Sequence, residues 1–180
     1  MISKTPSIDV HSHFFPRTFL DLINKQGDRY SVSCSFENSA GPVIAMDGRS
    51  QLPLEDRFID LEARLQSMDD QGVGMHALSL TMPMVYWASP DLSRQLSEVF
   101  NDACVAAHEQ YPNRFVGLAM LPMQEPRLAL AELERIADHP AIRGVYMATR
   151  IGERELSDPA FFDIYERIED LGLTIFLHPV

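Results

Sequence analysis

The sequence predicts an α/β protein built on a parallel sheet, because apolar runs rich in β-branched residues alternate with amphipathic helical patterns. The units of strand, helix and strand repeat about every 30 residues, which is typical of right-handed βαβ units. No Gly-rich G-x-G-x-x-G turn follows a strand, so the sequence disfavours an open, dinucleotide-binding sheet. We therefore predict a TIM-type (β/α)8 barrel, of which this chain supplies about five strands.

Five strand-like runs account for the predicted sheet. They are residues 8–10, 75–80, 115–121, 142–147 and 173–177. Helical patterns with apolar residues at steps of three and four separate these runs. They cover about 54–68 with a stop at Gly72, 89–103 with Ser89 as the N-cap, 126–138, and 157–171 with a stop at Gly172. Each strand after the first is therefore expected to follow a helix.

The segment of about 26–53 interrupts this regular spacing, because it separates the first strand from its helix. Residues 30–36 and 42–46 within it are candidate strands of a short hairpin. A long insertion after a strand is often a lid or a substrate loop. The chain contains no low-complexity segment and no interdomain linker, so we expect residues 1–180 to belong to one domain.

Composition and charge exclude several classes of function. Of the 180 residues, 46% are hydrophobic and 23% are charged, which is the balance of a globular domain. The formal net charge is −11 and the acidic residues are spread along the chain, whereas a nucleic-acid surface needs clustered cations. No apolar run approaches the roughly 20 residues that cross a bilayer. We expect a cytoplasmic protein with no nucleic-acid or membrane partner, and a homo-oligomer stays open.

Three histidines lie at the predicted ends of strands. His11 and His13 follow the first strand in the stretch IDVHSHFFP, and their spacing directs both side chains to one face of an extended chain. By itself, such a pair also fits two polar residues at a strand end. His178 ends the fifth strand, which faces the first across the mouth of a closed barrel. Three neutral nitrogens there suit a catalytic Zn²⁺ or a similar divalent ion.

Several segments of the chain together resemble a known family. The stretch IDVHSHFFP, followed by RLQSMDDQGV, NRFVGLAMLPMQEP, AELERI, IRGVYM and a terminal LHP, is similar to the amidohydrolase superfamily, in the branch of aminocarboxymuconate semialdehyde decarboxylase. The resemblance implies a distorted (β/α)8 barrel with one divalent metal, commonly Zn²⁺, and it assigns His11, His13 and His178 as metal ligands. The family also uses an Asp from the eighth strand and a His from the sixth. We therefore expect residues 1–180 to be the N-terminal portion of such a metal-dependent, hydrolase-like barrel domain.

The lysine content bears on the number of metal ions. Many binuclear members of this superfamily bridge two metals with a carbamylated lysine on the fourth strand. The lysines of this chain are Lys4 and Lys25, and neither lies in the fourth strand. We therefore predict a single divalent metal.

Candidate substrate contacts are two arginines and one aromatic residue. The resemblance implies an arginine in the loop after the first strand that binds the substrate carboxylate; Leu52 lies at the expected place, and Arg49 lies three residues earlier. Arg150, just after the fourth strand, is a second candidate, because it lies on the catalytic side of the sheet. Trp87, in the segment that follows the second strand, is a candidate aromatic wall. The alternatives are solvated surface charges and hydrophobic capping of the barrel mouth.

Three functional hypotheses follow from these observations. The resemblance favours a metal-dependent decarboxylase, a carbon–carbon lyase, acting on a small unsaturated or aromatic carboxylic acid. A metal-dependent hydrolase of a lactone or amide, or a hydratase, uses the same superfamily chemistry. The third hypothesis is an inactive fragment that needs the missing C-terminal part of the barrel.

Overall fold

Strands and helices alternate along the chain in the computed structural model, which describes residues 7–50 and 53–179. In chain order the strands are β1 (Ile8–His13), β2 (Val32–Ser35), β3 (Val43–Met46), β4 (Arg49–Ser50), β5 (Met75–Ser79), β6 (Phe115–Met120), β7 (Ile142–Ala148), β8 (Arg150–Ile151), β9 (Arg154–Glu155) and β10 (Thr174–His178). The α-helices are α1 (Arg17–Gln26), α2 (Leu61–Gln71), α3 (Pro90–Gln110), α4 (Pro126–Ile136) and α5 (Phe162–Asp170). Among the described residues, none of these helices combines the length and the apolar character that crossing a bilayer requires.

Strands β1, β5, β6, β7 and β10 form one parallel sheet in that order. Their carboxyl ends lie at the same end of the sheet, where His13 is paired with Ser79 and His178 with Ala148. The sheet curls, so that side chains of its two edge strands, β1 and β10, meet across its inner face. These five strands form half of a barrel, which confirms the predicted fold class.

One helix lies where the sequence analysis predicted none. Helix α1 follows β1 almost directly and buries Phe19, Leu20 and Ile23. Its apolar pattern covers little more than one turn, which is too short for a clear periodicity. The predicted insertion therefore begins after a helix, and its hairpin is confirmed by the antiparallel pairing of β2 with β3, from Val32 opposite Met46 to Ser35 opposite Val43.

Helix α2 begins later than the apolar pattern suggested. Asp60 caps it, because its carboxylate accepts a hydrogen bond of 2.8 Å from the backbone N–H of Ala63. The preceding residues Asp56–Phe58 form a short 3-10 helix instead. Gly72 ends the helix as predicted, in a left-handed conformation with φ of 69° that favours glycine.

A buried asparagine joins two helices to the sheet. The side-chain amide of Asn101 in α3 donates to the carbonyl oxygen of Met120 in β6 at 2.9 Å and to the carboxylate of Glu132 in α4 at 2.6 Å. Its oxygen accepts from the backbone N–H of Met120 at 2.9 Å. Asn101 is fully buried, so these bonds replace those that water would otherwise supply.

A second buried polar group joins β1 to β5 and α2. The Ser12 hydroxyl oxygen lies 2.7 Å from Nδ1 of His76 and accepts a hydrogen bond of 2.6 Å from Nη1 of Arg64. Burial, then the charge of Arg64, lowers the pKa of His76 from 6.5 to about 4. His76 therefore stays neutral in the folded chain at neutral pH.

Replacing Asn101 by Leu is expected to destabilise the fold by about 2 to 4 kcal/mol. The leucine fills the space but leaves the backbone groups of Met120 and the buried Glu132 carboxylate without this partner. The free energy of unfolding in urea measures the loss. The control Asp102→Asn weakens the exposed ion pair with Arg135, and its free energy of unfolding should differ from wild type by less than about 0.5 kcal/mol. Equal losses in both variants would contradict this assignment.

Acid is expected to destabilise the fold between about pH 6.5 and pH 4, because the unfolded chain takes up a proton on His76 before the folded chain does. Wild-type stability should be fullest above pH 6.5 and fall as the pH approaches 4. His76→Gln cannot bind this proton, so it should lose about 1 to 3 kcal/mol less than wild type between about pH 7 and 4.5. Urea titrations of both proteins at the two pH values measure these losses. Equal losses of unfolding free energy in wild type and His76→Gln would contradict the role of His76.

Candidate metal centre

Three histidine side chains converge at the carboxyl end of the parallel sheet. His11 and His13 lie on β1 and His178 ends β10, so the imidazoles come from the two edge strands. Their ring centroids are 4.7 to 5.4 Å apart. One possible ligand atom from each residue lies within 4.8 Å of the others. The structure therefore brings together the three residues that the sequence analysis selected as metal ligands.

The nitrogen atoms of this cluster fit a divalent cation. Nε2 of His11 and Nε2 of His13 are 3.0 Å apart, which lets both reach one ion at about 2.0 to 2.1 Å. Nδ1 of His178 is buried and has no hydrogen-bond partner among the described residues. Three imidazoles on one ion would leave coordination positions for water or substrate.

Burial favours the uncharged form of two of these imidazoles. It is the largest of the effects that lower the pKa of His13 from 6.5 to about 4, ahead of the charges of His11, His178 and Arg64. Burial, followed by His11, also lowers the pKa of His178. Because an imidazole must be deprotonated to bind a metal, both rings are ready to act as ligands at neutral pH.

A hydroxyl group and two aromatic side chains lie next to the rings. The Ser79 hydroxyl lies 3.3 Å from Nδ1 of His13, the ring nitrogen that faces away from His11. Histidines that bind a metal through one nitrogen commonly hydrogen-bond through the other, which orients the ring. Tyr146 stacks on Phe176 with centroids 5.5 Å apart and lies 5.4 Å from the ring of His178. An aromatic pair therefore borders the cluster.

A cavity of about 270 Å³ lies beside β1 and includes His11 and His13 in its lining. Arg57 and Arg64 also line it, and the sequence analysis selected neither as a site residue. A signal for Arg64 exists in the sequence, because it lies three residues after Leu61 on the buried side of α2. Arginine is rarely buried fully, so an arginine at such a position indicates a specific partner.

Among the described residues, the side chains of the substrate-binding arginines predicted from the sequence make no contact with the three histidines. Arg49 is exposed in β4, within the antiparallel sheet β2-β3-β4. Arg150 begins β8, and its side chain is 48% exposed and pairs with Glu153 and Glu155. Leu52, where the resemblance expects an arginine, lies outside the described residues. The substrate roles of Arg49 and Arg150 stay predictions.

Trp87 packs on the insertion rather than on the histidines. It lies in the loop between β5 and α3, where its indole N–H donates to the carbonyl oxygen of Met84 at 3.0 Å. Its ring centroid is 5.8 Å from that of Tyr30, in the 3-10 helix Gly27–Tyr30. These contacts join the loop to the insertion, and a role for Trp87 in substrate binding stays a prediction.

Strand β7, the fourth of the parallel sheet, has the sequence IRGVYMA and contains no lysine. Lys25 lies in the last turn of α1, and Lys4 lies outside the described residues. A carbamylated lysine on this strand is therefore absent from the sequence, and the histidine cluster supports a single divalent ion.

Solved structures share the fold over nearly the whole chain. IDCase from Metarhizium anisopliae, in its apo form, matches with a TM-score of 0.85 at 22% identity, over 98% of this chain and 51% of that chain. A 5-carboxyvanillate decarboxylase from Novosphingobium aromaticivorans, solved with manganese and 4-hydroxy-3-methoxy-5-nitrobenzoic acid, matches with a TM-score of 0.77 at 24% identity, over 98% and 51% of the two chains. The five-stranded sheet is therefore half of a TIM-type barrel.

Sequence comparison identifies the family. The 2-amino-3-carboxymuconate-6-semialdehyde decarboxylase of Dictyostelium discoideum is 30% identical over 178 residues, which cover 98% of this chain and 49% of the relative. The chain spans about half the length of the curated relatives it matches. The model of the amidohydrolase family matches residues 8–180. The chain therefore belongs to the amidohydrolase family.

Proposed function

We propose that this chain is the metal-binding part of a metal-dependent decarboxylase that acts on a small unsaturated or aromatic carboxylic acid. The convergence of His11, His13 and His178 at the carboxyl end of the sheet carries the proposal. It is supported by a relative named as a decarboxylase of a muconate semialdehyde. Because this chain spans about half of that relative, we propose the activity for the polypeptide that contains this chain. Its cytoplasmic location belongs to the same proposal.

One divalent ion is the proposed cofactor. Imidazole nitrogens suit Zn²⁺, and they also bind other divalent transition metals. The structurally similar 5-carboxyvanillate decarboxylase was solved with manganese, so Mn²⁺ and Zn²⁺ are the two ions to compare. When bound, such an ion polarises a substrate oxygen or lowers the pKa of bound water.

The chain's own residues would bind and orient the substrate. The cavity beside β1 is lined by the guanidinium of Arg57, whose partner Glu55 is 63% exposed, so a substrate carboxylate can replace that weak surface pair. The partly exposed ring of Phe176, which packs on the buried Tyr146 and lies 5.7 Å from the ring of His11, offers an apolar surface next to the histidines for a planar substrate. Arg49, Trp87 and Arg150 remain proposed substrate contacts.

The chemistry explains the class of substrate. Decarboxylation breaks the bond to the carboxylate, releases CO₂ and leaves an electron pair on carbon. A conjugated carbonyl or enol in an unsaturated or aromatic acid delocalises this pair, and a proton then adds to the same carbon. The delocalised pair keeps the negative charge of the lost carboxylate, and a divalent cation held by the three histidines would stabilise that charge.

Metal binding is expected to depend on the three histidines. The wild-type chain should retain about one Mn²⁺ or Zn²⁺ per molecule after dialysis, whereas His11→Ala and His178→Ala should weaken binding by about 100-fold or more, because each loses a ligand. Metal analysis and titration of the metal-free chain measure this. In the control His139→Ala, a histidine whose Nδ1 accepts from the backbone of Ala141 is removed, and binding should be unchanged. Equal binding by all variants would refute the site.

Catalysis is expected from the polypeptide that carries this sequence. With metal it should release CO₂ from hydroxybenzoates or unsaturated keto acids, and His11→Ala should reduce the rate by about 100-fold or more. Detection of CO₂ and of the decarboxylated product makes the measurement, with His139→Ala as the control. The same samples should be given lactones and amides, because a metal-activated water also supports hydrolysis. Hydrolysis of a lactone or amide without release of CO₂ would contradict the proposed decarboxylase activity and support a hydrolase.

A further inference from the structure

The guanidinium of Arg64 is buried against the strand that carries two of the three histidines. Its side chain reaches β1 from the first turn of α2, and the residue is only 3% exposed. Nη1 donates to the Ser12 hydroxyl at 2.6 Å, and Nη2 donates to the carbonyl oxygen of His13. One rigid guanidinium therefore holds two consecutive residues of β1.

This charge is buried without an acidic partner. No carboxylate among the described residues pairs with Arg64, and its Nε is buried with no hydrogen-bond partner in that part of the chain. Burial lowers the pKa of the guanidinium to about 10. Burying an unpaired charge opposes folding, so general stability does not account for an arginine here. Besides its hydrogen bonds to Ser12 and His13, the guanidinium has Nη1 3.2 Å from Nδ1 of His76 and lies 5.6 Å from the ring centroid of Phe14. Its direct contacts with the strand of the two histidines are therefore those to Ser12, His13 and Phe14 at its end.

Ser12 lies between the two histidines of β1 and points to the opposite face. Side chains alternate along a strand, so the rings of His11 and His13 face the inner side of the curled sheet while Ser12 faces α2. The pairing of β1 with β5 is irregular between Asp9 and Ser12, where the register shifts. The ladder alone therefore leaves His11, which lies in this interval, less constrained than His13, which is paired with Ser79.

The partners of Ser12 fix its hydroxyl in one arrangement. The oxygen accepts from Nη1 of Arg64, so its hydrogen is available for the neutral Nδ1 of His76, 2.7 Å away. His76 is itself anchored in β5 by the backbone hydrogen bond from its N–H to the carbonyl oxygen of Arg114. Ser12, at the end of the irregular interval, is thus tied both to the neighbouring strand and to the helix.

We propose that Arg64 is a positioning residue of the metal centre, which holds β1 from behind so that the imidazoles of His11 and His13 stay directed at one ion. The inference rests on the proposed metal site and assigns it a residue that acts through Ser12 and the backbone of β1 rather than as a ligand of the ion. The two Nε2 atoms are 3.0 Å apart, which is the arrangement that this contact would maintain. Its loss should weaken metal binding more than it weakens the fold.

The experiment compares Arg64→Met, Arg64→Lys and Arg114→Met with wild type. Arg114 is the matched control, because its guanidinium donates to the carbonyl oxygen of Gly74 and to Asp69, away from the histidines. Dissociation constants for Mn²⁺ and Co²⁺, the visible spectrum of the Co²⁺ form and the melting temperature without metal are measured for each chain. Arg64→Met should bind metal about 10- to 100-fold more weakly and change the Co²⁺ spectrum.

The controls separate positioning from stability. Arg64→Lys keeps the charge but presents a single ammonium, so it should recover only part of the affinity. Arg114→Met should lower the melting temperature and leave the Co²⁺ spectrum and both dissociation constants within about twofold of wild type. If Arg64→Met does not fold, Ser12→Ala removes one acceptor of the guanidinium and should still weaken binding several-fold with an altered spectrum.

The outcomes are distinguishable. Wild-type affinity and an unchanged Co²⁺ spectrum in Arg64→Met, or in Ser12→Ala where the former does not fold, would overturn the role of Arg64 and leave the metal site standing. Equal weakening in Arg64→Met and Arg114→Met would overturn it as well, because general destabilisation would then explain both. A wild-type chain that binds neither ion would overturn the metal site, and this inference with it.

Discussion

The curl of the five-stranded sheet is the constraint on which the candidate site depends. Strands β1 and β10 are its two edges, and three other strands lie between them. Neighbouring strands are about 4.8 Å apart, so a flat sheet would hold these edges about 19 Å apart. The ring centroids of His11 and His178 are nevertheless 5.4 Å apart. Curvature therefore converts two distant strand ends into one cluster of nitrogens.

The two faces of β1 have opposite chemistry. The inner face presents two imidazoles to the third across the curl, and burial favours the neutral form of His13 that a cation requires. The opposite face presents Ser12 to a buried guanidinium from α2. The charge of Arg64 also lowers the pKa of His13, so the same group that contacts the strand helps to keep its ligand deprotonated. Packing of α2 and the state of the candidate ligands are thus physically linked.

Much of the framework follows from local patterns in the sequence. Apolar runs located the five parallel strands, Gly72 marked the end of a helix, and the short hairpin of the insertion was recognised. Helix α1 was missed because its buried stripe, Phe19 to Ile23, is short. The start of α2 was placed too early because Phe58 continues the helical spacing while belonging to a 3-10 helix. Periodicity describes where apolar residues lie, and it does not distinguish helix types at element ends.

The spacing of His11 and His13 alone directs both rings to one face, and the position of His178 at the end of the fifth strand is readable along the chain. Local patterns therefore specified the candidate ligands and the strands that carry them. The contact of Arg64 with Ser12 joins residues 52 positions apart, and no local pattern specifies such a partner. The same is true of the placement of Trp87 on Tyr30. Those contacts depend on how α2 and the loops pack on the curled sheet, because long-range packing decides which side chains meet.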